Sequence, residues 1–482
     1  MSLTSKIAHN TAYQFGGKVI GTILGVLTVA IMTRYLGRMG FGEYSTITAY
    51  LQIFGILIDM GLSVIIIRLL ADTEFENQKV INNIFTLRFF SSLVFLGLAP
   101  LIIIFFPYSL LVKIGVAIAA LSFFFSSLNQ ILISLFQKEL KMLNVTVAEI
   151  GGRLVLFVFV FIFALYDFGL LAIILAVVLG SLTNFLMNYS AAKKFVKISF
   201  AFDWPIWHKI LKFTWPVAIS IAFTLVYFKA DTVILSLVRS QAEVGLYSAP
   251  YRILEILTNF IYLFMGLIFP VLTLAWQQKN LDRFKGMIQK TFDILLIITI
   301  PLIFGTLFVA QRLMLLIAGP EFVESGLILK ILIFATAFIF INSLFGYLVV
   351  VIDKQKKMVG AYIFVAIFSL LGYILTIPKY GYFGAAAFTI ISEALIFIFN
   401  FIIVTKTIKF LPTLTMLYKA IAASLIMSLF LYFCRNLNVI ELIFLSSLIY
   451  LLALYLFKGL PKELILEMLK IKSEPEVTRI NE

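Results

Sequence analysis

Two sets of polar residues recur at three- and four-residue intervals inside apolar sequence. They are Ser45, Thr48, Gln52, Gly55, Asp59 and Ser63, and then Ser248, Arg252, Glu255, Asn259, Tyr262 and Gly266. That spacing puts each set on one face of a helix. A face of hydroxyls, amides and single charges has two uses: it bonds a neighbouring helix, or it walls a water-filled cavity that takes a polar ligand. Thr11, Gln14, Lys18, Thr22 and Gly25 make a third set, and Ser220, Thr224, Tyr227 and Asp231 a fourth. In "YFKADTVIL" the fourth set separates two charges. At about 100° per residue Asp231 lies on the polar face, while Lys229 lies opposite, where its long stem can carry the ammonium to headgroups or to a neighbouring helix.

Lys18, Arg153, Lys229, Arg252, Lys330 and Lys419 are cations within apolar runs, and an ionised group in hydrocarbon requires a partner or a ligand. Glu149 and Arg153 are spaced as i, i+4 partners and Arg252 and Glu255 as i, i+3 partners. Lys18 is left as the cation with no local acid; Lys330 and Lys419 have no assigned role. Glu393, on one face with Thr389 and Asn400, is either a coupling-ion site or half of an internal pair. Gly17, Gly21 and Gly25 at four-residue spacing read as close helix contact.

Little here supports covalent chemistry. There is one cysteine, Cys434, so no disulfide can form within the chain. His9 and His208 are not clustered with other metal ligands. No phosphate-binding loop of the G-x-x-x-x-G-K-[ST] type occurs, and "GRMGFGEYS" lacks the third glycine of a dinucleotide loop. No catalytic residue is assigned, because no acid–base pair with a plausible site is apparent.

The elements that position these residues follow from composition. Of 482 residues 62% are hydrophobic and 13% charged, against roughly 25% charged in a soluble domain. The chain divides into fourteen runs long enough to span a bilayer: roughly 11–34, 42–70, 81–106, 109–136, 142–166, 168–192, 210–238, 243–276, 284–309, 322–352, 356–378, 381–409, 412–434 and 438–458. The first run exceeds a signal-peptide core and reads as a retained span. With both ends cytoplasmic, the breaks on that side carry most of the lysines and arginines, from Lys6, Arg68, Lys79 and Arg88 through the five lysines of 193–212 to Lys458 and Lys462. The other side has Arg34, Arg38, Lys113, Arg239, Arg312, Lys379 and Arg435, a bias that sets this orientation. The net charge of +14 thus reflects topology and anionic headgroups, not nucleic acid.

The sequence repeats weakly. "GEYS" at Gly42 returns as "GLYS" at Gly245, "QKELKM" at Gln137 as "DKQKKM" at Asp353, and "DFGLLA" at Asp167 as "YFGAAA" at Tyr382, in the same order and at similar offsets. Six spans preserve orientation, so the repeats are parallel. The expected fold is all-α and integral to the membrane, with about 14 helices in two pseudo-symmetric six-helix lobes, 1–192 and 210–409. A linker at 193–209, two extra helices at 410–458 and a tail at 459–482 complete it. The linker, with three tryptophans and five lysines between Lys193 and Trp215, reads as an interfacial amphipathic stretch in which Asp203 is a candidate N-cap.

The stretches "RYLGRMGFGEYS" followed by "LIDMGL", "WPVAIS" to "DTVILSLV" running into "EVGLYSAPYRILE", and "IPKYGYFGAAAFTIISE" resemble polysaccharide or oligosaccharide flippases of the multidrug/oligosaccharidyl-lipid/polysaccharide exporter superfamily, over about 1–410. The resemblance implies a two-lobed bundle like that of the multidrug exporters, with a V-shaped cavity lined by helices 1, 2, 7 and 8, alternating access, and a polyprenyl-(pyro)phosphate-linked oligosaccharide as cargo. In the related lipid II flippases basic residues on helices 1 and 8 engage the pyrophosphate, and helices 13 and 14 form a groove for the lipid. Lys18 and Arg252 are carried over to the first role and 412–458 to the second. Drug-exporting relatives rely on cavity acids; this chain has Asp59 and Asp231 but also Lys18.

The expected function is therefore export of a lipid-linked glycan across the cytoplasmic membrane by a monomer that is not an enzyme. Its cavity candidates are Lys18, Gln52, Asp59, Tyr227, Asp231, Arg252, Glu255, Asn259 and Tyr262. No cofactor or metal is expected beyond a coupling ion, sodium or a proton, at Glu393 or Asp59. Membrane lipids and glycosyltransferases of the same pathway are the expected partners. The alternatives are a cation-coupled multidrug exporter and, from another class, a polytopic glycosyltransferase or polymerase.

Overall fold

A computed structural model describes the backbone of residues 3–59, 62, 66 and 76–459 and, among these, all side chains except those of 3–12, 77, 213 and 215–228. Leu3–Asp59 is one helix broken at Gly37, whose φ of 62° and ψ of −176° suit glycine and few other residues. The break divides it into α1 (3–36) and α2 (38–59). Then follow α3 (Asn77–Ile102), α4 (Leu110–Lys138), α5 (Met142–Leu165), α6 (Gly169–Ala192), α7 (Trp204–Val238), α8 (Gln241–Gln277), α9 (Leu281–Ala318), α10 (Ser325–Val351), α11 (Gln355–Tyr380), α12 (Tyr382–Ile408), α13 (Thr415–Phe433) and α14 (Val439–Leu456).

Within the described residues each expected run is thus helical, and the protein is an all-α, multi-pass membrane protein. Among the described residues twelve apolar stretches are long enough to cross a bilayer, and one of them, Tyr13–Asp59 with 47 residues, holds two crossings of about 20 residues each. Helix α7, at 35 residues, supplies the fourteenth. Large apolar side chains face outward as well as inward: Phe105 is 89% and Phe433 76% exposed. That is the surface of a body solvated by lipid.

Local sequence sets the helix ends. Ser240 Oγ accepts from the Glu243 amide at 3.3 Å, opening α8; Ser109, Asn280 and Asn438 do the same for α4, α9 and α14. Such side-chain oxygens satisfy amides that lack an intrahelical partner.

Helices of the first half pack chiefly on one another (α5 on α6, α4 on α6, α3 on α4, and the α1–α2 helix on α5), as do those of the second half (α10 on α8, α9 and α12, and α11 on α7 and α12). The seam between the halves is made mainly by the α1–α2 helix against α7 and α8, while α13 and α14 lean on α9.

The linker departs from expectation. Residues 196–203 are not helical but lie along α3, whose polar residues bond their backbone. Asn82 Oδ1 accepts from the Ser199 amide at 3.2 Å, Thr86 Oγ1 from Ala201 at 2.9 Å and Asn83 Oδ1 from Asp203 at 2.8 Å. Asp203 begins α7 without a side-chain cap and pairs instead with Lys79. Phe200 packs among Phe85, Phe89 and Phe90. An extended segment has unpaired backbone groups, and amide and hydroxyl side chains of α3 satisfy these three amides.

Candidate functional site

Two charge clusters lie inside the bundle, one in each half, and each is a carboxylate between two cations. In the second half Glu255 of α8 accepts from Lys229 Nζ of α7 at 2.6 Å and from Arg252 Nη1 at 2.9 Å. In the first half Glu149 of α5 lies 2.9 Å from Arg153 Nη2 and 3.9 Å from Lys18 Nζ of α1. Glu149 faces two cations, Lys18 and Arg153, which leaves the first cluster one positive charge in excess, whereas in the second Lys229 is also within electrostatic reach of Asp231. The i, i+4 and i, i+3 pairs of the sequence are both present, Lys18 also has Glu149 within reach, and of its two expected destinations Lys229 takes the neighbouring helix α8 and not the headgroups. A helix within a bundle has protein on several sides, so the face opposite a polar stripe need not meet lipid.

The second cluster sits in the seam. Ser45, Thr48 and Gln52 of α2 face Lys229, Ser248, Arg252 and Glu255 there, around a cavity of only about 20 Å³, room for about one water. Ser45 Oγ, Gln52 Oε1 and Ser248 Oγ are buried with no hydrogen-bond partner among the described residues. Polar atoms left unpaired inside a protein are costly; these three lie where the α2 and α8 stripes meet. Farther along the α8 stripe Asn259 is exposed and Tyr262 48% exposed.

The first cluster borders a cavity of about 500 Å³, with Gln14 and Lys18 of α1, Asn129 and Gln130 of α4, Glu149 of α5 and Asn184 of α6 in its wall. Cavities of about 300–1,000 Å³ hold small ligands. The α4 and α6 amides are absent from the four polar faces read in the sequence; Asn184 and Asn188, one turn apart in an apolar run, were the available signal. Gly17 and Gly21 do mark close contact: a Cβ on Gly21 would lie 3.0 Å from Arg153 Cδ, and the Gly21 carbonyl accepts from Arg153 Nη1 at 2.7 Å.

The other candidates are engaged elsewhere. Asp59 pairs with Arg88 at 2.6 Å, and Arg88, counted above with the exposed cytoplasmic charges, is only 1% exposed. Asp231 is fully buried, accepting from the Tyr247 hydroxyl at 2.5 Å, which in turn lies 3.2 Å from Thr389 Oγ1; it is not in the wall of the seam cavity. Glu393 is 3% exposed. Lys419 donates to the Lys458 carbonyl beyond α14 at 2.8 Å. Ser63 and Arg68, and the side chains of Thr11, Ser220, Thr224 and Tyr227, lie outside the described residues.

Beside α9, helices α13 and α14 enclose an apolar cavity of about 370 Å³ whose wall includes Pro301, Val309, Met427, Leu431 and Tyr450.

Residues 7–276 match the model of a family described as polysaccharide biosynthesis protein. A probable low-salt glycan biosynthesis flippase of Haloferax volcanii, Agl15, is 24% identical over 169 residues, which span 35% of this chain and 36% of that protein. The match thus covers little more than a third of its curated relative. Among solved structures, the lipid II flippase MurJ in an inward closed conformation superposes with a TM-score of 0.77 at 17% identity, covering 93% of this chain and 98% of that one. An inward-facing multidrug resistance MATE family transporter gives 0.61 at 13%, covering 81% and 95%. At these identities the two structures attest the shared fold.

Proposed function

We propose that the chain, which belongs to the polysaccharide biosynthesis protein family and has a partial match to a probable glycan flippase, is not an enzyme but a flippase for a polyprenyl-(pyro)phosphate-linked oligosaccharide. It acts by alternating access between two six-helix lobes, 1–192 and 210–409, in the cytoplasmic membrane with both termini cytoplasmic. The observation that carries this reading is the excess positive charge of the first cluster, Lys18–Glu149–Arg153, on the wall of the open cavity. A diphosphate carries the complementary charge, and a water-lined path removes the cost of drawing its polar headgroup through hydrocarbon.

In this reading the cationic clusters hold the diphosphate, polar stripe residues meet the sugars, and the apolar cavity between α9, α13 and α14 receives part of the lipid tail. Glu393, 3% exposed on α12, is our candidate for a coupling cation. Asp59 is a weaker one because Arg88 already neutralises it. The multidrug-exporter alternative needs free acids at the cavity, whereas Asp59 and Asp231 are bound by Arg88 and Tyr247.

Complementation tests this. In cells lacking the native gene, Lys18→Ala and Arg252→Ala are each expected to reduce surface glycan at equal protein level. Normal export by both variants would end the cationic-cavity mechanism, and efflux of organic cations without any effect on glycan would end the flippase reading.

A further inference from the structure

The amides lining the cavity of the first half form an organised set. Asn188 of α6, fully buried, donates to Asn129 Oδ1 at 2.9 Å and to Asn184 Oδ1 at 3.1 Å, and Asn129 Nδ2 also points to Asn184 Oδ1 at 3.3 Å. Asn184 Oδ1 therefore accepts twice, which fixes the amide orientation and turns its NH2 away from both donors. Asn129 and Asn184 line the cavity with Gln14 and Gln130. The α5–α6 contact holds this wall in place: a Cβ on Gly152 would come within 2.7 Å of the Gly180 carbonyl and 2.8 Å of Asn184 Cβ, so no larger residue fits without moving Asn184.

The second half has a counterpart without the cavity. Asn400 of α12 donates to Asn342 of α10 at 2.8 Å, but Asn400 is 1% exposed. An asparagine bridge between these helix pairs is thus common to both halves and serves packing. What sets the first half apart is the third asparagine, the two glutamines and an open volume of about 500 Å³.

Resting on the flippase reading above, we propose that Asn129, Asn184, Gln130 and Gln14 form a sugar subsite. It would recognise the hydroxyl or acetamido groups of the first sugars after the diphosphate while Lys18 and Arg153 stay with the charge. The Asn184 NH2 supplies donors, and Gln14 and Gln130 each carry a donor pair and an acceptor in one plane, which together match vicinal hydroxyls or an acetamido group. The subsite selects the glycan, and the cations do not, since every lipid diphosphate carries the same charge.

Full-length protein in liposomes is given two probes: a fluorescent short-chain polyprenyl diphosphate bearing an N-acetylhexosamine disaccharide, and the same lipid diphosphate without sugar. Wild type is expected to move the glycosylated lipid faster. Asn184→Ala and Gln130→Ala are each expected to slow the glycosylated lipid about fivefold, the worth of one hydrogen bond, and to leave the bare lipid unchanged. Gln130 is an exposed cavity residue, so its replacement keeps the test open if Asn184→Ala misfolds. An unaltered preference in both variants would overturn the subsite and leave the flippase reading standing. Wild type moving neither lipid would overturn both.

Discussion

Arg88 is held from three directions: Asp59 Oδ1 at 2.6 Å, the Ile58 carbonyl at 3.0 Å and the Ser127 carbonyl at 3.3 Å. A guanidinium this deeply enclosed depends on its counter-charge, and removing one partner of a buried pair costs about 3–5 kcal/mol. Asp59→Leu is therefore expected to lower the thermal unfolding midpoint of the purified protein by several degrees, and adding Arg88→Met is expected to recover most of it. A double variant as unstable as the single would mean that Asp59 matters through other contacts. Lys229 and Asp231 teach a related lesson about what sequence conveys. Periodicity separated them correctly, but it could not say that the face of Lys229 meets α8 and Glu255, or that Tyr247 seals Asp231 away from the cavity. A helical wheel orders directions around one axis; which neighbour stands in each direction is a tertiary fact.

Among the elements, α2 and α8 cross at the residues of the repeated motif itself. A Cβ on Gly42 would lie 3.0 Å from the Gly245 nitrogen, one on Gly245 would lie 3.1 Å from the Gly42 nitrogen, and Thr46 Oγ1 donates to Gln241 Oε1 at 2.7 Å. The "GEYS" and "GLYS" stretches were legible as a repeat, and their shared glycine has a physical reason: two backbones touch where the halves meet. Gly42→Val is expected to force this crossing apart. With Cys434→Ser and Ser248→Cys as background, it should raise labelling of Cys at 248 by a membrane-impermeant thiol reagent added from outside; unchanged labelling would show that the crossing does not seal the seam. Helix number and order were also readable, because about 20 apolar residues announce a span whatever its neighbours. The one-residue joint between α1 and α2 at Gly37 was not, since it is flanked by a contact from the other half of the chain, the Arg38 amide donating to Glu321 Oε2 at 3.0 Å. Nor was the docked linker, whose partners on α3 lie more than a hundred residues away.

For the whole molecule, the described residues close the polar centre at the α2–α8 seam and leave it open at the amide-lined cavity of the first half. The side bearing Arg34, Arg38 and Arg239 is tied across the halves by Arg34 Nη1 to the Ile317 carbonyl at 2.5 Å, by Arg38 to Glu321 and by Thr46 to Gln241. Alternating access would have to undo all three together, because each joins α1 or α2 to the second half, and the helices between them are too closely packed to bend independently. A tether across one contact should therefore arrest the cycle. With Cys434→Ser removing the native thiol, Thr46→Cys and Gln241→Cys bridged by a reducible bis-methanethiosulfonate linker are expected to abolish flipping of the glycosylated lipid in liposomes, and a reductant is expected to restore it. Each single cysteine variant treated with the same reagent should retain transport. Undiminished flipping in the bridged protein would mean that the halves need not part along this seam, and that cargo leaves by a path other than the one lined by α2 and α8.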